Sequence, residues 1–198
     1  MSVSTVKKVA RKAPPQLIYQ LRVSLNEIEP EVWRRLWVAD TMNLAKFDRV
    51  IQAAMGWTNS HLHEFTIDAR TYGVPDPDWP SAVPVLREQA YTVGQVLGDS
   101  VKRFEYTYDL GDDWQHTVTV EKILRPDETN VRPVCLAGQN ACPPEDVGSS
   151  SGYMDFVQAM RDPTHEEHVA MWRWHGGPFD PAGFDLNAAN AAIRKLRI

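Results

Sequence analysis

Phe104-Glu-Tyr-Thr-Tyr-Asp-Leu-Gly-Asp-Asp-Trp-Gln-His-Thr-Val-Thr-Val-Glu121 decides the fold: two alternating arms joined by an acidic turn. In the first arm Phe104, Tyr106 and Tyr108 share one face and Glu105, Thr107 and Asp109 the other, the period of two of a half-buried strand. In the second, Trp114, His116, Val118 and Val120 fall together, opposite Gln115, Thr117, Thr119 and Glu121. Gly111 is the residue expected to supply the positive φ that the turn Leu110–Asp113 needs. The stretch is therefore a β-hairpin with Asp109, Asp112 and Asp113 crowded at its tip and His116 on its apolar face.

Working outward, Leu17, Tyr19, Leu21, Val23 and Leu25 alternate with mostly polar residues and predict a first strand. Val32 to Val38 predicts a second, antiparallel to it, with Arg34 and Arg35 on opposite faces and one of them meeting an acid across the sheet. Leu44, Phe47, Val50, Ile51, Ala54 and Met55 recur at helical spacing between a Thr41 or Asn43 cap and a Gly56 stop. A strand follows with Phe65 and Ile67 inward, and in extended backbone His61 and His63 would share a face. Prolines 75, 77, 80 and 84 make 73–90 a long loop, and Thr92 to Leu97 a short helical turn.

On the C-terminal side, 133–148 is dense in turn formers and reads as irregular, presenting Glu145 and Asp146 after two prolines. Ser150 or Ser151 caps a helix bearing Tyr153, Phe156, Val157 and Met160. Thr164 and Glu167 fit a capping box for another, with Val169 and Trp172 inward. A last helix from Asp185 uses Leu186, Ala189, Ile193 and Leu196. No internal repeat interrupts this order, and strands and helices that mix without repeating predict one α+β domain over 16–198, a mainly antiparallel sheet with flanking helices.

Composition narrows the function classes. No apolar run approaches the roughly 20 residues of a membrane helix and the basic start lacks an apolar signal core, so the expected compartment is the cytoplasm. Two cysteines, Cys135 and Cys142, encode no disulfide framework. The net charge of −5 is uneven: Lys7, Lys8, Arg11 and Lys12 stand in an acid-free leader, expected to be disordered over 1–15, and leave 17 basic against 26 acidic residues beyond it. So acidic a body repels a phosphate backbone unless a local patch opposes the average; Arg22, Arg34, Arg35, Arg49 and the leader are the candidates for one.

The polar site expected from these segments comprises His61, His63, Asp109, Asp112, Asp113, His116, Glu145 and Asp146. Imidazole and carboxylate are the ligands of divalent metals, which makes His61, His63, Asp112, Asp113 and His116 metal candidates, although no His-Glu-x-x-His spacing unites them. Asp113 or Glu145 beside His116 fits acid/base work. Each of these residues is equally what an ordinary turn uses, and His116 has a second reading as a buried histidine that holds the tip in shape. No Gly-x-Ser-x-Gly or phosphate-binding glycine loop is present. The readings are a binding module presenting acidic turns and Trp57, Trp79 and Trp174 to a protein or small ligand, a metal-dependent hydrolase, and a nucleic-acid-binding accessory factor. The core is nevertheless the commoner place for a tryptophan.

Taken together, Pro30-Glu-Val-Trp-Arg-Arg35, Ala53-Ala-Met-Gly-Trp57, His61-Leu-His-Glu-Phe65, Tyr106 to His116, Cys142-Pro-Pro-Glu-Asp146 with Gly152-Tyr153, and Phe179-Asp-Pro181 with Phe184-Asp185 give a specific combination. In these motifs the chain resembles the plasmid pRiA4b ORF-3-like family, whose members include passenger proteins of insertion elements. The resemblance implies an α+β domain with an antiparallel sheet and an accessory role on mobile elements, and names no reaction. Where the family pattern continues Pro-Pro-Glu-Asp-Cys-Gly-Gly, this chain has Val147 and Ser149. A cysteine-based metal or redox role is thus not implied for this loop.

Overall fold

The structure is a computed structural model that describes residues 17–76, 83–125 and 132–198. The basic leader and Trp79 lie outside the described residues. The chain folds as a single α+β domain around one eight-stranded sheet. β1 (Ile18–Leu25) pairs antiparallel with β2 (Trp33–Ala39), and α1 (Leu44–Met55) follows, capped by the Asn43 side chain and stopped by Gly56 in the left-handed region. β3 (His63–Ile67) and β4 (Arg70–Gly73) form a hairpin, and the short β5 (Val85–Arg87) adds to β4 in parallel. A 3-10 turn at Glu88–Ala90 and α2 (Val93–Leu97), closed by the Thr92/Gln95 capping box, lead to β6 (Arg103–Tyr108) and β7 (Trp114–Leu124). β8 (Val134–Gln139), α3 (Ser149–Arg161), α4 (His168–His175) and α5 (Leu186–Lys195) complete the chain.

The sheet order is β5-β4-β3-β6-β7-β1-β2-β8, so the organising hairpin sits at its centre. Its register sets Tyr106 opposite His116 and Tyr108 opposite Trp114. Phe104, Tyr106, Tyr108, Trp114, His116, Val118 and Val120 are all buried, because a side-chain period of two delivers an entire face to the core once one member is there. Against that face α1 lays Phe47, stacked on Phe65 with ring centroids 5.6 Å apart, and α5 packs on α1 and β8.

Several local expectations are corrected, among them the 73–90 loop, in which Val85–Arg87 forms β5 and Glu88–Ala90 the 3-10 turn. Positive φ in the hairpin turn falls on Asp109 and Asp113, both at 55°, rather than on Gly111. Asp109 Oδ1 accepts from the N–H groups of Gly111 and Asp112, and this local bonding is what lets aspartate occupy the left-handed region. The segment 133–148 is not wholly irregular, since β8 pairs with β2 and the Asn190 side chain on α5 bonds both the N–H and the carbonyl of Cys135. Gly138 in β8 marks a close approach: a Cβ there would lie 2.7 Å from Arg34 Cδ and 2.8 Å from the Phe184 ring.

Likewise, α3 begins at Ser149 without a side-chain cap, one or two residues ahead of the expected serines. Between α3 and α4, Asp162 Oδ1 takes both the N–H and hydroxyl of Thr164, so the aspartate makes the turn and no side chain caps α4. That helix buries none of its residues, and Val169 and Trp172 are exposed rather than inward.

Candidate functional site

Three segments meet beyond the ends of β6 and β7: the hairpin turn Asp109–Asp113, the passage from Gly56 to Leu62, and the loop after β8. Each join is made by named bonds. The Asp109 N–H donates to the Leu62 carbonyl at 2.8 Å, and the Gly148 N–H donates to Asp112 Oδ2 at 3.0 Å. Trp57 takes the core alternative and is buried: its indole N–H donates to the Pro143 carbonyl at 3.1 Å and its ring stacks on Tyr108 with centroids 4.5 Å apart.

Glu145 is clamped in this framework. Its Oε1 accepts from the Thr58 N–H at 2.7 Å, the Thr58 hydroxyl at 3.1 Å and the Tyr108 hydroxyl at 3.0 Å. Tyr108 in turn accepts from the Ser60 N–H. Burial first, with the Glu145 carboxylate adding to it against the opposing Ser60 N–H, raises the Tyr108 pKa well above that of a free phenol. Tyr108 therefore serves as a donor at neutral pH.

His61 sits at the mouth. Its Nε2 is 2.9 Å from Asp146 Oδ1 and 3.9 Å from Glu145 Oε2, and its Nδ1 is 3.6 Å from Asp109 Oδ2. Nε2 is buried yet makes no hydrogen bond, because the Asp146 oxygen lies out of line with the ring N–H. One ligand atom from each of His61, Asp109 and Asp146 falls within 4.8 Å of the others. The His61 side chain is 28% exposed and that of Asp146 68%, so the cluster opens to solvent on one side.

The remaining predicted residues divide. His63 lies against Tyr106 and belongs to a separate buried cluster, with Nε2 2.7 Å from Glu88 Oε2 and Nδ1 3.3 Å from Asp48 Oδ1. Asp48 also accepts from the Tyr106 hydroxyl at 2.7 Å and from the Gln52 amide. Burial opposes charge on His63, but the hydrogen bond to Glu88 and the charges of Asp48 and Glu88 outweigh it and raise its pKa. Burial likewise raises Asp48, so this cluster holds a proton readily. Asp113 is turned to Gln115, and Asp112 serves as the tie to Gly148.

His116 is fully buried beneath the edge of Trp57, its Nδ1 donating to the Tyr106 carbonyl at 3.1 Å and its Nε2 without a partner. Burial lowers its pKa to about 4, and the carbonyls of Tyr106 and Trp114 offset this only in part. It holds the hairpin and does not reach the open cluster. Sequence reasoning missed Asp48, Thr58, Glu88 and Tyr108. Only Asp48 carried a signal, as an acid on the apolar stripe of α1 beside Phe47 and Ile51.

Three of the arginines that were candidates for a local basic patch are engaged elsewhere. Arg22 pairs with Glu31, Arg35 with Glu121 at 2.6 Å, and Arg34 is buried, its donors spent on the carbonyls of Trp33, Ala54, Gln139 and Asn140. Burial raises the pKa of both Cys135 and Cys142, so neither supplies a thiolate at neutral pH.

A sequence model of the family described as plasmid pRiA4b ORF-3-like protein matches residues 17–188, nearly all of this domain. The chain belongs to that family. It is 37% identical over 180 residues to the uncharacterised protein y4hQ of Sinorhizobium fredii (strain NBRC 101917 / NGR234), covering 90% of this chain and 92% of the relative. Among solved structures, a protein of unknown function, MM3350, from Methanosarcina mazei Go1 superposes with a TM-score of 0.78 at 33% identity, over 88% of this chain and 98% of that one. The pRiA4b ORF-3-like domain thus spans the site's three segments together. Among its described residues, no helix is long and apolar enough to cross a membrane.

Proposed function

We propose that this chain is a binding protein whose site at the hairpin tip takes a divalent cation on His61, Asp109 and Asp146. The observation that carries the reading is the His61 imidazole: it is surrounded by three carboxylates and donates to none of them in line. A ring nitrogen in that position has its lone pair available to an ion. One imidazole with two carboxylates suits Zn²⁺ or Mn²⁺ better than Ca²⁺, which prefers an all-oxygen shell. Glu145, already accepting from Thr58 and Tyr108, orders the loop that carries Asp146 and is poorly placed as a free base, which favours binding over hydrolysis.

Beside Asp146 a pocket of about 300 Å³ is lined by Val147, Phe156, Met171 and the exposed Trp174. It offers an apolar seat to a small ligand or peptide side chain whose polar end meets the ion. The family description names a plasmid reading frame, which supports an accessory role on mobile genetic elements. A survey of gene neighbourhoods, with members no nearer plasmid or insertion-element boundaries than chance, would remove that part.

Thermal unfolding with Zn²⁺ or Mn²⁺ tests the cation. At a hundredfold excess over Kd the expected gain is about 2.7 kcal/mol, a rise of roughly 5–10 °C for a domain of this size. His61→Ala and Asp146→Asn should abolish the shift while leaving the ion-free melting point near that of the parent, since neither side chain supports the fold. A shift of the same size in both variants sinks the reading.

A further inference from the structure

Among the described residues Arg34 is the only lysine or arginine that is buried, at 2% exposure, and no carboxylate pairs with it. The buried acids are matched: Asp48 and Glu88 meet His63, and Asp109 lies 3.6 Å from His61 and accepts from two backbone N–H groups. Arg34 has carbonyls instead. Its Nε donates to Ala54 at 2.9 Å, Nη1 to Trp33 at 2.8 Å and Gln139 at 2.9 Å, and Nη2 to Asn140 at 3.0 Å. Carbonyls satisfy N–H groups as dipoles but bring no negative charge, so a whole positive charge stands out of water without a counter-ion. A guanidinium carries five N–H groups, and these four bonds leave one hydrogen on Nη2 without an acceptor among the described residues.

The side chain is held in place. Strand alternation turns Arg34 inward from β2, the missing Cβ of Gly138 leaves room for its stem, and the Phe184 ring lies over the guanidinium with its centroid 4.1 Å from Cζ. Burial lowers its pKa, yet a guanidinium keeps its proton across the physiological range. A group so fixed loses little conformational entropy on meeting a ligand.

A cleft of about 410 Å³ opens onto Arg34 between the end of α1, the loop after β8, and α5. Ala53, Ala188 and Ala192 leave the space by being small, and Trp57, Phe179 and Phe184 add aromatic wall. Three other titratable side chains line it. Glu145 is engaged by Thr58 and Tyr108, Asp185 Oδ1 caps α5, and His175 Nδ1 bonds the Gly177 carbonyl. The two carboxylates disfavour a multiply charged anion such as phosphate, whereas a single negative charge matches the single buried cation. We propose that this cleft binds a small monocarboxylic acid, its carboxylate accepting from the remaining Nη2 hydrogen of Arg34 and its apolar body lying along the alanine and aromatic walls. The inference does not rest on the cation reading, because His61, Asp109 and Asp146 take no part in it.

The probes are hexanoate and phenylacetate, with hexanamide and phenylacetamide as neutral isosteres and inorganic phosphate as the multiply charged anion. Each is titrated into the ¹⁵N-labelled full chain, and NMR follows the Trp57 indole N–H and the backbone N–H groups of Ala53, Ala188 and Ala192. At least one acid should shift these resonances to saturation, and its amide should bind about 10- to 100-fold more weakly, the worth of a hydrogen bond to a charged acceptor. Ala188→Phe, at an exposed position of α5, closes the mouth and should abolish binding with the melting point unchanged. Arg34→Met removes the charge and should bind acid and amide alike; where that variant does not fold, Ala188→Phe still decides the matter. No shift at these positions with either acid overturns the proposal. So does an amide that binds as tightly as its acid, Ala188→Phe that binds as the parent does, or a cleft that takes phosphate and neither acid.

Discussion

His116 gives the sharpest prediction, because its environment fixes both a sign and a magnitude. The ring is fully buried and its folded-state pKa lies at about 4, against 6.5 for a free imidazole. Below pH 6.5 the unfolded chain takes up a proton that the native state refuses. A depressed pKa therefore means that stability is fully present above 6.5 and is lost as pH falls toward 4. The difference of about 2.5 units at about 1.36 kcal/mol each comes to roughly 3 kcal/mol, of which about 2 is already lost at pH 4.5. Other groups titrate in the same interval, so the measurement is a double difference. Urea unfolding of parent and His116→Leu at about pH 7 and 4.5 should show the variant losing about 2 kcal/mol less than the parent on acidification. At pH 7 the variant forfeits the bond to the Tyr106 carbonyl but also removes the unpartnered Nε2, so its cost there is of order 1 kcal/mol. Equal acid sensitivity in both proteins, or a His116 ring proton titrating near 6.5 by NMR, refutes the reasoning.

Two further outcomes follow from the same structure. His63, whose pKa is raised between Glu88 and Asp48, stabilises the fold fully below about pH 6.5 and loses that contribution as pH rises through its folded-state value, so the stability gap between parent and Glu88→Gln should narrow from pH 6 to 9; denaturant midpoints that diverge over that range contradict it. Gly138→Ala places a methyl 2.7 Å from Arg34 Cδ and against the Phe184 ring, and should cost about 1–3 kcal/mol in urea unfolding, whereas a change within about 0.5 kcal/mol means that β8 moves freely.

Much of the candidate site was legible as residue types and little of it as partnerships. Asp109, Glu145, Asp146 and His61 were named from their turns, and the fold brings their side chains together. His63, two residues from His61, was grouped with it on strand periodicity, yet its acids arrive from α1 and from the 3-10 turn, 15 and 25 positions away. Trp57 stood open in the sequence between a loop aromatic used for recognition and a core residue. The loop at Pro143 folds over it and takes its indole N–H.

What the sequence determined by itself is the set of faces. The inward sides of β1, β6 and β7, the stripe of α1 and the burial of His116 follow from the backbone's own periods of two and 3.6, which need no knowledge of neighbours. The tertiary structure alone decided which strand edge Val134–Gln139 would join, which carboxylate each histidine would meet, and that Arg34 would reach the carbonyls of Gln139 and Asn140. These are contacts between residues tens of positions apart, set by the path of the chain and by the packing of α1 and α5 on the sheet, and local periodicity carries no information about them.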